Sequence, residues 1–177
     1  MLKNAELQKR IAELEEKLNF LINHRTLTAG ISGELIVSEL VNGIVTAYAT
    51  AHDIVDRSGR TIEVKYSRLN RPSTLAVTTR WAWAKVFGES GRKAYDFLLL
   101  VGDPDERWRS HYKDPNSPFI FFCIPREAVD ALTMSSNAGR SRAIQLTTNP
   151  LKARSRAAKL FAEYQVTRDE LQSIFGV

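Results

Sequence analysis

With 177 residues and 20.0 kDa, 44% of them hydrophobic and 25% charged, the chain has room for one ordinary domain plus an appended helix, which argues against a two-domain enzyme. No stretch approaches the ~18 apolar residues of a membrane span, and the first residues lack the apolar block of a signal peptide, so the expectation is a cytoplasmic protein with no membrane partner. The single cysteine, Cys123, excludes an internal disulfide and a multi-cysteine zinc site, and its apolar surroundings read as buried strand. The net charge of +5 says less than its distribution. From Arg57 to Lys93 nine basic residues face two acids, Glu63 and Glu89, and from Gly139 to Ala162 there are six basic residues and no acid. Such blocks suit a polyanion, and nucleic acid is the natural candidate, with a generic solvated surface as the rival reading.

In chain order, residues 1–25 read as a helix with Leu7, Ile11, Leu14, Leu18 and Leu21 on a heptad seam. Arg10 and Glu15 flank that seam at ion-pairing positions, and Asn4 lies on it. Two readings stand side by side: a coiled-coil homodimer, or a helix docking its leucine stripe on its own domain. Residues 26–177 form the main domain. A linker is expected over Arg25 to Gly30, then a helix capped by Ser32 and stopped at Asn42-Gly43. On it Glu34 and Glu39 are roughly 140° apart, so at most one enters a site.

His52 to Ser67 reads as a hairpin closed by Arg57-Ser58-Gly59, with Gly59 in the left-handed conformation. Paired residue numbers then sum to 116, which sets Asp53 opposite Glu63 and projects Lys65 on the same face. Ile54, Ile62 and Val64 point to the core and hold that register. Pro72 to Phe87 has helical spacing and reads as a crossover helix. Tyr95 to Val101 and Phe119 to Pro125 are buried strands, Arg126 to about Leu132 a short helix, and Ala143 to Thr147 an edge strand. Asn149-Pro150 opens a helix, and Thr167-x-x-Glu170 is a capping box opening the last one. The expected class is α/β, a central mixed sheet flanked by helices.

Two carboxylates opposed on neighbouring strands repel at neutral pH unless a cation lies between them. Oxygen donors without histidine or cysteine favour Mg²⁺, with Mn²⁺ as substitute, and a lysine beside them would orient water and stabilise charge on a phosphate. Around this set, Tyr66, Ser67, Arg68, Asn70 and Arg71 follow the strand and could contact DNA. Lys152, Arg156 and Lys159 share one basic helix face suited to tracking phosphates. The segment from Arg107 to Lys113 alternates basic and aromatic groups, as a DNA-reading loop or as a surface connection pinned by Trp108. His52 reads as a hydrogen-bonded strand-end residue.

Asp53, nine residues, Glu63, one residue and Lys65, preceded by Gly30-Ile-Ser-Gly-Glu-Leu and followed by the Tyr95 to Val101 strand, resembles the PD-(D/E)XK nuclease superfamily, the restriction-endonuclease-like fold. The hairpin is also similar to that of small dimeric type II restriction endonucleases. The resemblance implies Asp53, Glu63 and the Val64 carbonyl as metal ligands, Lys65 as the catalytic lysine, and Glu34 as an additional ligand or water-holder. It departs from the pattern in having His52 where proline often stands. The expected activity is Mg²⁺-dependent DNA cleavage by a homodimer, restriction-like, with a Holliday-junction resolvase or repair nuclease of the same fold as the nearest alternative. A non-catalytic DNA-binding dimer is the alternative from another class.

Overall fold

The computed structural model describes residues 8, 11, 15, 25–47, 50–71, 78–88, 93–135 and 142–177. Helix α1 (Arg25–Val41) is followed by β1 (Ile44–Val45), β2 (Ile54–Val55), β3 (Thr61–Ser67), β4 (Arg80–Trp83) and β5 (Phe97–Gly102). Then come a 3₁₀ turn (Glu106–His111), β6 (Ile120–Pro125), α2 (Arg126–Leu132), β7 (Met134–Ser135) and β8 (Arg142–Thr147). A second 3₁₀ turn (Pro150–Lys152) leads to α3 (Arg156–Lys159), which runs on as a π-helical turn to Tyr164, then β9 (Gln165–Val166) and α4 (Arg168–Phe175). The fold is α/β around a mixed six-stranded sheet in the order β1-β2-β3-β5-β6-β9. Only β3 and β5 run parallel; the other neighbours are antiparallel. No helix among the described residues is long and apolar enough to cross a membrane.

Strand β5 lies at the centre because it is apolar on both faces. Leu99 and Val101 face α1 and α4, packing with Val37, Val64 and Phe121, while Leu98 and Leu100 face a second cluster with Trp81, Trp83 and Phe122. The second cluster is covered by a three-stranded sheet, β4-β8-β7, and by α2 and α3. Trp81 and Trp83 donate indole N–H groups to the carbonyls of Asp103 and Val101, tying this small sheet to the end of β5. Gly102 makes the approach possible: a Cβ there would stand 2.6 Å from the Trp81 indole nitrogen.

Four elements differ from the sequence expectation. The helix expected from Ser32 begins at Arg25, so Arg25 to Gly30 is no linker and Ser32 is no cap. One of its glycines serves packing: a Cβ on Gly33 would lie 2.9 Å from the Tyr66 Cβ, so α1 sits directly on β3. Between β3 and β5 the expected crossover helix is absent over residues 78–88, where the chain forms β4 instead; the alternation of buried Trp81 and Trp83 with half-buried Arg80 and Ala82 is a strand period hidden in a short apolar run. Strand β8 is not an edge: it lies between β4 and β7. The helix expected from Asn149-Pro150 is broken after one 3₁₀ turn, with Ser155 at φ 51° before α3 starts, so Lys152 does not share a continuous helix face with Arg156 and Lys159. Of the heptad seam, Ile11 is helical and exposed, while Leu7, Leu14, Leu18 and Leu21, with Asn4 and Arg10, lie outside the described residues.

Candidate active site

The hairpin supplies the site, and its turn sets the register. Gly59 takes φ 81°, and its amide donates to the Asp56 carbonyl. The Asp56 carboxylate accepts from the Ser58 and Arg60 amides and pairs with the Arg60 guanidinium at 2.6 Å. This buried cap holds Val55 against Thr61 and Ile54 against Ile62, the register summing to 116. At Asp53 the ladder slips: its amide donates to the Ile62 carbonyl, and its Oδ2 accepts from the Val64 amide at 2.8 Å. Asp53 therefore turns its carboxylate along β3 toward Glu63 and Lys65.

Glu63 is fully buried, with Lys65 Nζ 2.5 Å from its Oε1. Lys93, absent from the expected set, completes the cluster. Its ammonium lies 2.9 Å from Asp53 Oδ1 and 2.5 Å from Glu63 Oε2. Glu63 Oε2 is buried, and the cation that meets it is this ammonium. Burial raises the Glu63 pKa above its ordinary value and the repulsion of Asp53 adds to that, against the pull of Lys65 and Lys93. For Lys93 burial works against the charged form, yet its contacts with Glu63 and Asp53 outweigh it and move its pKa upward. Glu34, half-buried on α1, is raised by burial first and by the charge of Asp53 next, with Lys65, Lys93 and Glu63 also felt. It thus belongs to the same electrostatic neighbourhood as the hairpin carboxylates.

Among the described residues no three carboxylate, histidine or cysteine side chains gather tightly enough to hold an ion unaided. Asp53 and Glu63 provide two hard anionic donors, which suits Mg²⁺, an ion that usually keeps several waters and takes only one or two carboxylates. The same two carboxylates already accommodate one cation, the Lys93 ammonium, between Asp53 Oδ1 and Glu63 Oε2, which is the place a divalent ion would take. Val64 enters the site through its amide.

The other expected contact residues divide by exposure. Arg68, Asn70 and Arg71 are exposed beyond β3, with the Asn70 backbone bridged to Arg80. Ser67 is buried, accepts from the Ala82 amide and donates to the Arg68 carbonyl, so it links β3 to β4. Tyr66 donates its phenol to Asp103 and packs edge-on to Phe119, and burial with that partner pushes its pKa up to about 12. Lys152 is exposed, Arg156 donates to the Thr133 carbonyl, and Lys159 lies 3.7 Å from Glu163. The segment from Arg107 is ordered: Asp105 caps its 3₁₀ turn, Trp108 packs on the core, and Lys113 pairs with Glu170. His52 accepts from Thr46 and Thr50 through its carbonyl. Glu39 is exposed and lines a cleft with Arg168 and Phe119.

Lys93 carries no motif of its own. The signal for it is topological: because β3 and β5 pair in parallel with Ile62 beside Phe97, the residues leading into β5 run beside the hairpin that leads into β3. Compared with protein-family models and with curated proteins, the chain matches none.

Proposed function

We propose that the chain is a Mg²⁺-dependent DNA endonuclease of the PD-(D/E)XK kind, with Asp53 and Glu63 as metal ligands and Lys65 as the catalytic lysine. The observation that carries the reading is that Asp53 and Glu63 share one cation, the Lys93 ammonium, while Lys65 sits on the other oxygen of Glu63. Mg²⁺ held there supplies a Lewis acid against a phosphodiester oxygen. The protein's own residues do the rest. The Val64 amide fixes Asp53 Oδ2, and β3 fixes Glu63, so both carboxylates are oriented before any ligand arrives. Lys65, a quarter exposed at its side chain, carries a fixed positive charge to the point where a phosphate would gain negative charge in the transition state. Arg68 and Arg71, exposed just past the strand, would hold the flanking phosphates. A homodimer would bring two such sites to one duplex, which cleavage of both strands or of a symmetric junction requires.

A second reading draws on Lys93. An ammonium that already neutralises the two carboxylates could serve a non-catalytic DNA-binding protein of the same architecture. The two readings separate when purified protein is incubated with plasmid and with synthetic four-way junctions, with Mg²⁺ or with EDTA. The nuclease reading expects metal-dependent cleavage with termini at defined positions, on plasmid for a restriction-like enzyme and on junctions for a resolvase. Binding without cleavage of any topology, in Mg²⁺ and in Mn²⁺, would replace it with the second.

A further inference from the structure

We propose that Lys93 is a built-in counter-cation: it holds Asp53 and Glu63 together in the metal-free protein and competes with the divalent ion for their two facing oxygens. The identity of the ion rests on the nuclease reading; the competition rests on geometry. Each carboxylate has one oxygen committed to the β3 scaffold, Asp53 Oδ2 to the Val64 amide and Glu63 Oε1 to Lys65. Each has a second oxygen turned toward Lys93, Asp53 Oδ1 at 2.9 Å and Glu63 Oε2 at 2.5 Å. These second oxygens are the ones left to coordinate an ion, and a single ammonium spans both. Two carboxylates this close would repel without a cation between them.

The two lysines differ in how they are mounted. Lys65 projects from β3, locked into the ladder with β5. Lys93 precedes β5, outside any strand, and is placed by its backbone amide donating to the Phe87 carbonyl at 3.0 Å. Gly88, at φ 71°, makes that seat: a Cβ on it would stand 3.3 Å from the Lys93 Cβ. The Lys93 side chain keeps a fifth of its surface in solvent, so its ammonium can withdraw into water as an ion enters. A divalent ion carries twice the charge of the ammonium it would displace, so exchange is favoured once the ion is present.

Isothermal titration of the full chain with Mn²⁺ after EDTA treatment tests this, without reference to cleavage. Lys93→Ala should bind Mn²⁺ about tenfold more tightly than the wild type, because the competing charge is gone, whereas Lys93→Arg should stay within about twofold. In EDTA, Lys93→Ala should melt below the wild type and recover more on adding Mn²⁺, since the unpaired carboxylates then depend on the ion. Lys93→Met, which keeps the aliphatic stem, carries the same expectations if the alanine variant does not fold. Unchanged or weaker Mn²⁺ binding in the neutral variants would overturn the counter-cation role while leaving any observed nuclease activity in place. No Mn²⁺ binding by any of the proteins would overturn both. Tightened binding in a protein that cuts no DNA would uphold the counter-cation and remove the nuclease reading.

Discussion

Two carboxylates in this fold, Glu63 and Asp105, are equally hidden from water, 0% and 3% exposed, and the surroundings treat them in opposite ways. Asp105, at the junction of the two sheets, is saturated with donors. Its oxygens accept from the hydroxyls of Thr79 and Thr148, from the Arg107 amide, and from two guanidinium nitrogens of Arg107. The Arg107 contacts dominate over burial and hold its carboxyl well below the usual carboxylate range. Glu63 is met by two ammonium groups, Lys65 at Oε1 and Lys93 at Oε2; burial wins there and its pKa moves upward. Thr79 precedes β4 and Thr148 follows β8, so the Asp105 cluster is a latch clamping the small sheet to the end of β5. The contrast teaches how to tell two kinds of buried charge apart. A carboxylate whose acceptors are met by hydroxyl, amide and guanidinium donors is held as part of the architecture, while one met by flexible lysine ammonium groups is, on the reading proposed above, open to an ion that could replace one of them.

The widest separation between the two should appear in catalysis. Glu63→Ala and Asp53→Ala should each lower the rate of DNA cleavage by on the order of 10³-fold or more, with Mn²⁺ binding weakened in parallel, because each removes a hard anionic donor. Asp105→Ala, assayed at a temperature where it is folded, should leave Mn²⁺ affinity unchanged. Wild-type cleavage rates in Asp53→Ala would dissolve the distinction from the functional side.

The second separation is in stability, with the order reversed. Asp105→Asn places an amide donor among hydroxyl and guanidinium donors and should cost about 1–3 kcal/mol in urea denaturation, the scale for a buried polar group left unsatisfied, the half-exposed Arg107 adding little. Glu63→Gln, measured in EDTA, removes a charge whose burial is only partly offset and should cost less than about 1 kcal/mol or stabilise slightly. Equal losses in the two variants would mean that Glu63 is as structural as Asp105.

The smallest effect is the pH response of the latch. A carboxylate held below its ordinary pKa contributes stability that is present above the unfolded value of 3.8 and lost as pH falls toward the lower folded value. The wild type should therefore lose stability on acidification below about pH 4 more steeply than Asp105→Asn, in urea titrations monitored by tryptophan fluorescence of Trp81 and Trp83. Parallel acid limbs in the two proteins would remove Asp105 from the account of acid unfolding.

Features that depend on near neighbours in the chain are legible in the sequence by itself. The three-residue turn needs a left-handed Gly59, and strand alternation then allows one register, so the Ile54 to Ile62 pairing follows from local rules, whereas Asp53 is not placed directly opposite Glu63 because the ladder slips there. The stop after Val41, with Asn42 at φ 49°, the Asn149 cap and the Thr167 to Glu170 capping box are local in the same sense. So are the apolar runs of β5 and β6, whose burial needs no knowledge of what covers them. Pairings between distant segments are chosen instead by packing. Trp81 and Trp83 became strand because β8 offered a ladder more than sixty residues away, and Gly33 stayed helical because β3 lay against it. Ser67 was drawn away from the surface by Ala82 of β4. Lys93 reached the hairpin carboxylates through the parallel run of β5 beside β3, a juxtaposition of segments forty and thirty residues apart that no periodicity encodes. Sequence spacing constrains contacts only while the chain between two residues has a single regular conformation; beyond that range, packing chooses among them.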